Sequence, residues 1–286
     1  MPTRAYILDR PKELSSAVVF ASPHSGNDYP DWFIRRTILT MRGIRSSEDA
    51  FVDRLFDAAP QFGAPFLKAG APRAFVDYNR SADELDPALI AGVKWVGNNP
   101  RVASGLGVIP RVVSNARPIY RGKLRVDEAE SRLNNYWHPY HKALQSLLDE
   151  SRAAFGRAIL MDCHSMPREA LENARSTGGR RPEIVLGDRF GASAEPDIVD
   201  EVEAIFQNAG FEVSRNAPFA GAYVTQHYGR PSRRQHAIQI EIDRSLYMDE
   251  TRIVPNAHFS DFRRRLQSVI AQLADVGRPA RRLAAE

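Results

Sequence analysis

Cysteine is almost absent from this sequence: Cys163 is the only one in 286 residues. An intrachain disulfide is therefore excluded, and so is a zinc ribbon built on paired cysteines. The same scarcity fits a reducing compartment. Long apolar runs are missing as well. No stretch approaches the roughly 20 apolar residues of a membrane span, and the opening MPTRAYILDRPKEL is charged, without the apolar core of a signal peptide. A cytoplasmic protein without a membrane partner is expected. Charge of one sign is in only small excess, +4 with a pI near 9.3. Its densest clusters, Arg230, Arg233 and Arg234 and then Arg278, Arg281 and Arg282, read as solvated surface. With no finger, basic helix or aromatic-rich RNA motif, nucleic acid is not an expected partner. Also absent are a phosphate-binding P-loop, a GxGxxG turn after a strand, a GxSxG elbow, internal repeats and a low-complexity linker.

What is present is ordinary globular composition, 43% hydrophobic and 26% charged, in a chain long enough to bury a large core. Apolar β-rich runs occur at residues 17–23, 64–70, 73–79, 157–165, 211–216 and 236–243. Helical spacing appears in PDWFIRRTIL, in residues 46–63, from about Asp127 to Phe155, in 197–210 and in 258–276. Ser46 or Ser47 is placed to cap the second of these helices. Pro139 should kink or split the third. Residues 81–118, rich in Gly, Pro and Asn, read as a long irregular segment of the kind that often carries function. Strands alternating with helices predict an α/β fold: one domain over 1–286, with a mixed, mostly parallel central sheet flanked by helices. In such sheets ligands bind at the carboxyl ends of the strands.

Two histidines stand at such ends, His24 in AVVFASPHSG and His164 in AILMDCHSMP. Histidine pairs joined by a carboxylate suit a catalytic zinc with an open coordination position. The nearest acids, Glu48 and Asp49, are alternatives for that carboxylate. Asp162, two residues before His164, is suited to orient a ligand histidine. Glu241 interrupts the apolar run HAIQIEID, where a carboxylate is costly unless it is paired, bound to metal or functional. Beside activated water it is a candidate general base. Asn79 and Arg80 after FVDY, with Arg117 and Arg121 in ARPIYRGKLR, are candidates for holding an anionic small-molecule substrate. Cys163 is a poor companion for His164, because neighbours on a strand point to opposite faces.

In order along the chain stand PHSG with Tyr29-Pro30, VDYNRS, RPIYRGKL, YWHPYH, MDCHSMP, LGDRFGAS, APFAGAYVTQHYGRP and QIEIDRSLYMDE. This ordered set, over about residues 16–250, resembles the N-formylglutamate amidohydrolase family. The resemblance implies a fold like that of the zinc carboxypeptidases and one zinc per chain, with other divalent metals as alternatives. It implies His24, Asp49 rather than Glu48, and His164 as metal ligands, and Glu241 as the carboxylate that activates water. Asn79, Arg80 and Arg121 would grip substrate carboxylates, and His227 would contact the acyl group or oxyanion. The activity implied is metal-dependent cleavage of the N-acyl bond of a small acidic N-acyl amino acid, N-formyl-L-glutamate first, as in histidine degradation. The sequence departs from the family pattern at Ala220 and Ala222, where Lys and Gly stand, and at Gln226, where a basic residue stands. That departure keeps open a different N-acyl amino acid or a short peptide as substrate. A non-catalytic relative that binds a small acid is a third alternative, and the retained His24, His164 and Glu241 argue against it.

Overall fold

The computed structural model describes residues 1–94, 99–172, 174–176 and 179–277. Arg278, Arg281 and Arg282 therefore lie outside the described residues. Seven strands form the main sheet: β1 (Tyr6–Asp9), β2 (Val18–Ser22), β3 (Phe66–Ala69), β4 (Ala158–Met166), β5 (Ile184–Gly187), β6 (Val213–Arg215) and β7 (Gln235–Asp243). Their order is β1-β3-β2-β4-β7-β5-β6. The ladders from β3 through β2 and β4 to β7 are parallel, as is β5 with β6, while β1 pairs antiparallel with β3 and β5 with β7. The sheet is thus mixed and mostly parallel, as expected. β4 and β7 are nine residues long and buried throughout. This is the pattern of central strands covered on both faces, and it explains why their sequences are so continuously apolar.

Alternation along these strands divides the core into two layers. Val18, Phe20, Ile159, Met161, Cys163, Ile238, Ile240 and Ile242 face one way, under α3 (Pro196–Asn208) and α5 (Phe259–Asp275). Val19, Ala21, Ala158, Leu160 and Ala237 face the other, under α2 (His138–Phe155), whose Tyr140, Leu144, Leu147 and Leu148 recur at helical spacing. On this second face the apolar side chains stop midway. Leu160 is followed by Asp162 and His164, and Ala237 by Gln239 and Glu241. The carboxyl half of one sheet face is therefore polar and buried, and the candidate site lies there.

Three expectations change on contact with the structure, and the one at Pro139 is met. The helix expected over 46–63 is broken into a 3₁₀ turn (Arg45–Ser47), one α-turn (Val52–Leu55) and another 3₁₀ turn (Ala59–Phe62). The cause is tertiary: Asp49 donates its backbone N–H to His24 O at 3.0 Å, and Phe51 takes a left-handed conformation at φ 69°. Residues 73–79 are turns rather than a strand, with Asn79 N donating to Asp77 Oδ1 at 2.8 Å. Pro139 stands where its helix is divided, as expected. The run from α1 (Val126–Arg132) continues into α2 through a π-turn at Leu133–Trp137, in which His138 N–H reaches Leu133 O. The wider turn accommodates a residue that has no N–H to donate, and Pro139 sits in the first turn of α2. Finally, β1, β5 and a short helix α4 (Tyr223–Tyr228) escaped the sequence reading. Two of these are only four-residue strands, and α4 is one and a half turns.

The irregular segment expected at 81–118 is present apart from 95–98, which lie outside the described residues. It holds one helical turn at Pro100–Ala103 and a two-residue strand pair, Val112–Val113 with Arg117–Pro118. Among the described residues no helix is long and apolar enough to cross a membrane.

Candidate metal centre and active site

His24 stands two residues beyond the end of β2, whereas His164 lies inside β4 and Glu241 inside β7. β4 and β7 are paired in register so that His164 is directly opposite Glu241 and Asp162 opposite Gln239. Partners across a parallel ladder share a face, so all four side chains project to one side. Asp49, carried on the broken segment after Arg45–Ser47, completes the group. His24 Nδ1 and His164 Nδ1 lie 3.4 and 2.9 Å from the same oxygen, Asp49 Oδ2. Ligand atoms of the three residues all fall within 4.8 Å of one another, and all three residues are buried. Of the two acids the sequence offered, Asp49 faces the histidines. Glu48 turns away to Arg45, at 2.9 and 3.0 Å, and to Tyr29.

The outer ring nitrogens are engaged by carboxylates. His24 Nε2 donates to Asp77 Oδ1 at 2.7 Å, and His164 Nε2 lies 3.1 Å from Asp162 Oδ2. Carboxylates in these positions orient the rings and leave each Nδ1 directed inward. His24 Nδ1 is buried with no hydrogen-bond partner. A buried, unsatisfied ring nitrogen beside a second imidazole and a shared carboxylate oxygen is a donor set that fits a divalent cation such as zinc. Asp49 Oδ1, the oxygen on the far side, accepts from Arg244 at 2.9 Å.

Electrostatics follow from this packing. Burial drives the Asp49 carboxyl upward, but the hydrogen-bonded His164 ring and the adjacent His24 ring outweigh burial and hold it well below the usual range. Asp77 is likewise held low against burial, by His24 and Arg73. Burial opposes charge on His164, yet Asp162 and Asp49 keep its imidazole protonated well above the ordinary value in the metal-free chain. Metal binding would then release that proton. Glu241 moves the opposite way. Burial, with Asp49 adding to it and His164 opposing it, pushes its carboxyl up to about 7. Gln239 Nε2 donates to Glu241 Oε1 at 2.8 Å and fixes the group.

These residues open into a cavity of about 700 Å³. Asn79 and Arg80 line it. Asn79 Nδ2 sits 3.2 Å from His164 Nε2, and its Oδ1 accepts from Val224 N at the start of α4 at 2.8 Å. The segment is held from behind by α2 and the π-turn: His141 Nε2 meets Tyr78 O at 3.0 Å and Trp137 Nε1 donates to Arg80 O at 2.9 Å. His141 is buried and pushed down to about 3 by that burial, so it serves as a neutral strut. The structure does not bring Arg121 or His227 to the cavity. Arg121 is exposed, and His227 stacks on Tyr223 along the outside of α4. Arg117 is exposed too, and ties the loop down by donating to Ser46 Oγ at 2.9 Å. Sequence reasoning missed Arg73, Asp77, Gln239 and the role of Arg244. Gln239 had a signal, since it shares the strand face of Glu241. Arg73 and Asp77 had none, because the strand expected there does not form.

Cys163 faces the opposite apolar layer and donates to Met161 O at 3.4 Å. Cys163→Ala is expected to leave kcat within about twofold and to cost about 1 kcal/mol of stability through lost packing. Steady-state kinetics with thermal denaturation checks both, and a large fall in kcat would count against its place outside the chemistry.

Comparison with known proteins shows the family. The family described as N-formylglutamate amidohydrolase matches residues 16–248. The N-formylglutamate deformylase of Pseudomonas aeruginosa is 32% identical over 79% of this chain and 80% of its own, and that of Pseudomonas putida 29% identical over 90% of each. The crystal structure of N-formylglutamate amidohydrolase from Ralstonia eutropha JMP134 superposes with a TM-score of 0.87 at 36% identity, covering 94% of this chain and 97% of that one. Match length, identity and superposition agree, and this chain belongs to the N-formylglutamate amidohydrolase family.

Proposed function

We propose that this protein is a zinc-dependent deformylase that hydrolyses N-formyl-L-glutamate to formate and L-glutamate. The observation that carries the reading is the convergence of both Nδ1 atoms on Asp49 Oδ2, with Glu241 in register beside His164. His24, Asp49 and His164 would hold the metal, which when bound supplies Lewis-acid polarisation of the scissile carbonyl and acidifies water. Glu241 accepts a proton from the attacking water as the new C–O bond forms. It returns that proton to the nitrogen as the C–N bond breaks, so the amine leaves neutral. A carboxyl raised to about 7 is suited to both transfers near neutrality. Asn79 and Arg80 bind the amino-acid carboxylate and orient the amide toward Glu241. The names of the curated relatives support the substrate.

Dialysis against a chelator is expected to abolish formate release from N-formyl-L-glutamate, and stoichiometric Zn²⁺ to restore it. Undiminished activity in demonstrably metal-free protein would overturn the metal assignment. One observation favours a second reading, a different N-acyl amino acid or a short peptide. Ala220 and Ala222 line the cavity and present no cation there, while Gln226 is exposed and does not line it. A panel of N-acyl amino acids separates the two, because the first reading requires N-formyl-L-glutamate to have the highest kcat/KM.

A further inference from the structure

Four guanidiniums face the cavity, and they are not equivalent. Arg73 is paired with Asp77 at 3.0 Å and Arg244 with Asp49 at 2.9 Å. Those two are committed to holding the residues around the metal centre. Arg80 and Arg101 have no carboxylate within ion-pair distance among the described residues. Arg80 is only 7% exposed, and its bonds go to carbonyls: Nε donates to Leu106 O at 2.9 Å and Nη1 to Asn79 O at 2.8 Å. A buried cation satisfied only by neutral carbonyls is incomplete until an anion arrives. Arg101 belongs to the same wall. Its carbonyl accepts from Leu106 N at 2.8 Å, so the strut that holds Arg80 also anchors Arg101. Asn99 caps this turn, accepting from Arg101 N and Val102 N at 3.0 and 3.3 Å. The Arg101 side chain is exposed at the cavity rim and makes no bond to another described residue.

We propose that Arg101 determines substrate specificity. Arg80, buried next to Asn79, takes the α-carboxylate, and Arg101 at the rim takes the side-chain carboxylate of a dicarboxylic N-acyl amino acid. The assignment rests on the deformylase reading and adds the residue that separates acidic from neutral substrates. In a cavity whose other two arginines are already neutralised, two free guanidiniums match a dianion. A planar guanidinium recognises a carboxylate through two parallel bonds, and an uncharged amide cannot reproduce that.

The test uses the zinc-loaded enzyme with N-formyl-L-glutamate and its neutral near-isostere N-formyl-L-glutamine. Arg101→Gln is expected to lower kcat/KM for the first by about 10- to 100-fold, mostly through KM, as for loss of one charge-assisted bond pair at a partly exposed site. The rate with N-formyl-L-glutamine should stay within about threefold, which also shows that the variant is folded. Arg101→Lys should fall between, since it keeps the charge and loses the fork. Competitive inhibition by L-glutamate should weaken in parallel. An unchanged preference ratio in an active Arg101→Gln enzyme would overturn this assignment while leaving the deformylase reading intact, and equal loss on both substrates would reduce Arg101 to a structural role. If the unmodified enzyme hydrolysed neither compound, the deformylase reading would fall and the assignment with it.

Discussion

Glu241→Gln is expected to lower kcat by about 10³-fold, in the range of a lost general acid–base, while raising the stability of the metal-free protein above neutral pH. The second half of that result follows from burial. The carboxyl has a folded pKa of about 7 against an ordinary value of 4.5. Between those values the folded chain binds more protons than the unfolded chain, so stability falls as pH rises. The loss is complete above about pH 7 and amounts to a few kcal/mol, about 1.4 for each unit of pKa difference. Glutamine is nearly isosteric, can still accept from Gln239, and carries no charge to desolvate. Metal-free parent and variant should therefore denature together near pH 4, and the variant should be the more stable at pH 8. Chemical denaturation at the two pH values measures it. Equal stability at pH 8 would mean that Glu241 is not a strained carboxylate, and unchanged kcat would remove it from the chemistry. The expected pairing, more stable and inactive, is the trade seen where an active site holds a group in an unfavourable environment.

Asp49→Asn should have the other large effect, and with the opposite pH dependence. Asp49 supplies the oxygen both histidines face and neutralises the buried Arg244. Without its charge, zinc content by elemental analysis should fall from near one per chain to near zero, and activity to background. Leaving Arg244 buried without a counter-charge should also cost about 3 kcal/mol. Because the Asp49 carboxyl is held below its ordinary value, its stabilisation is present above the unfolded pKa and lost as pH falls. The gap between parent and variant should therefore be widest at neutral pH and close in acid. Arg244→Met in the Asp49→Asn background should recover part of the loss, and a double-mutant cycle reads the coupling. Full zinc occupancy in Asp49→Asn would remove Asp49 from the ligand set.

The strands carrying this site were legible because they are buried on both faces, and apolar runs such as AILM and AIQI have few other uses. His164, Glu241 and Asp162 could be placed because period-2 alternation is strict. Asp49 was legible as a residue and not as a position. Its helical pattern was real, but bonds to His24 and Arg244 outcompete the helix at Ser46–Ala50. The wall opposite was not legible. Arg73 and Asp77 stand on turns whose path depends on contacts with Ser47 and Val108 far along the chain, and the turn of Arg101 is joined to Arg80 through Leu106. Arg121 shows the converse, because proximity to a recognisable sequence block says nothing about which way an exposed arginine turns.

The two walls of the cavity should also differ in how fast their amides exchange with solvent. His164 and Glu241 are held by the β4–β7 ladder, nine paired positions at the centre of the sheet. Amides in such a ladder exchange only when the whole molecule unfolds. The turn bearing Arg101 hangs on a few loop bonds, among them Leu106 N to Arg101 O and Arg80 Nε to Leu106 O. Breaking those requires only local opening. The wall proposed to carry the chemistry is thus fixed to the ladder expected to exchange slowest, and the turn assigned to substrate selection hangs on bonds that local opening alone would break.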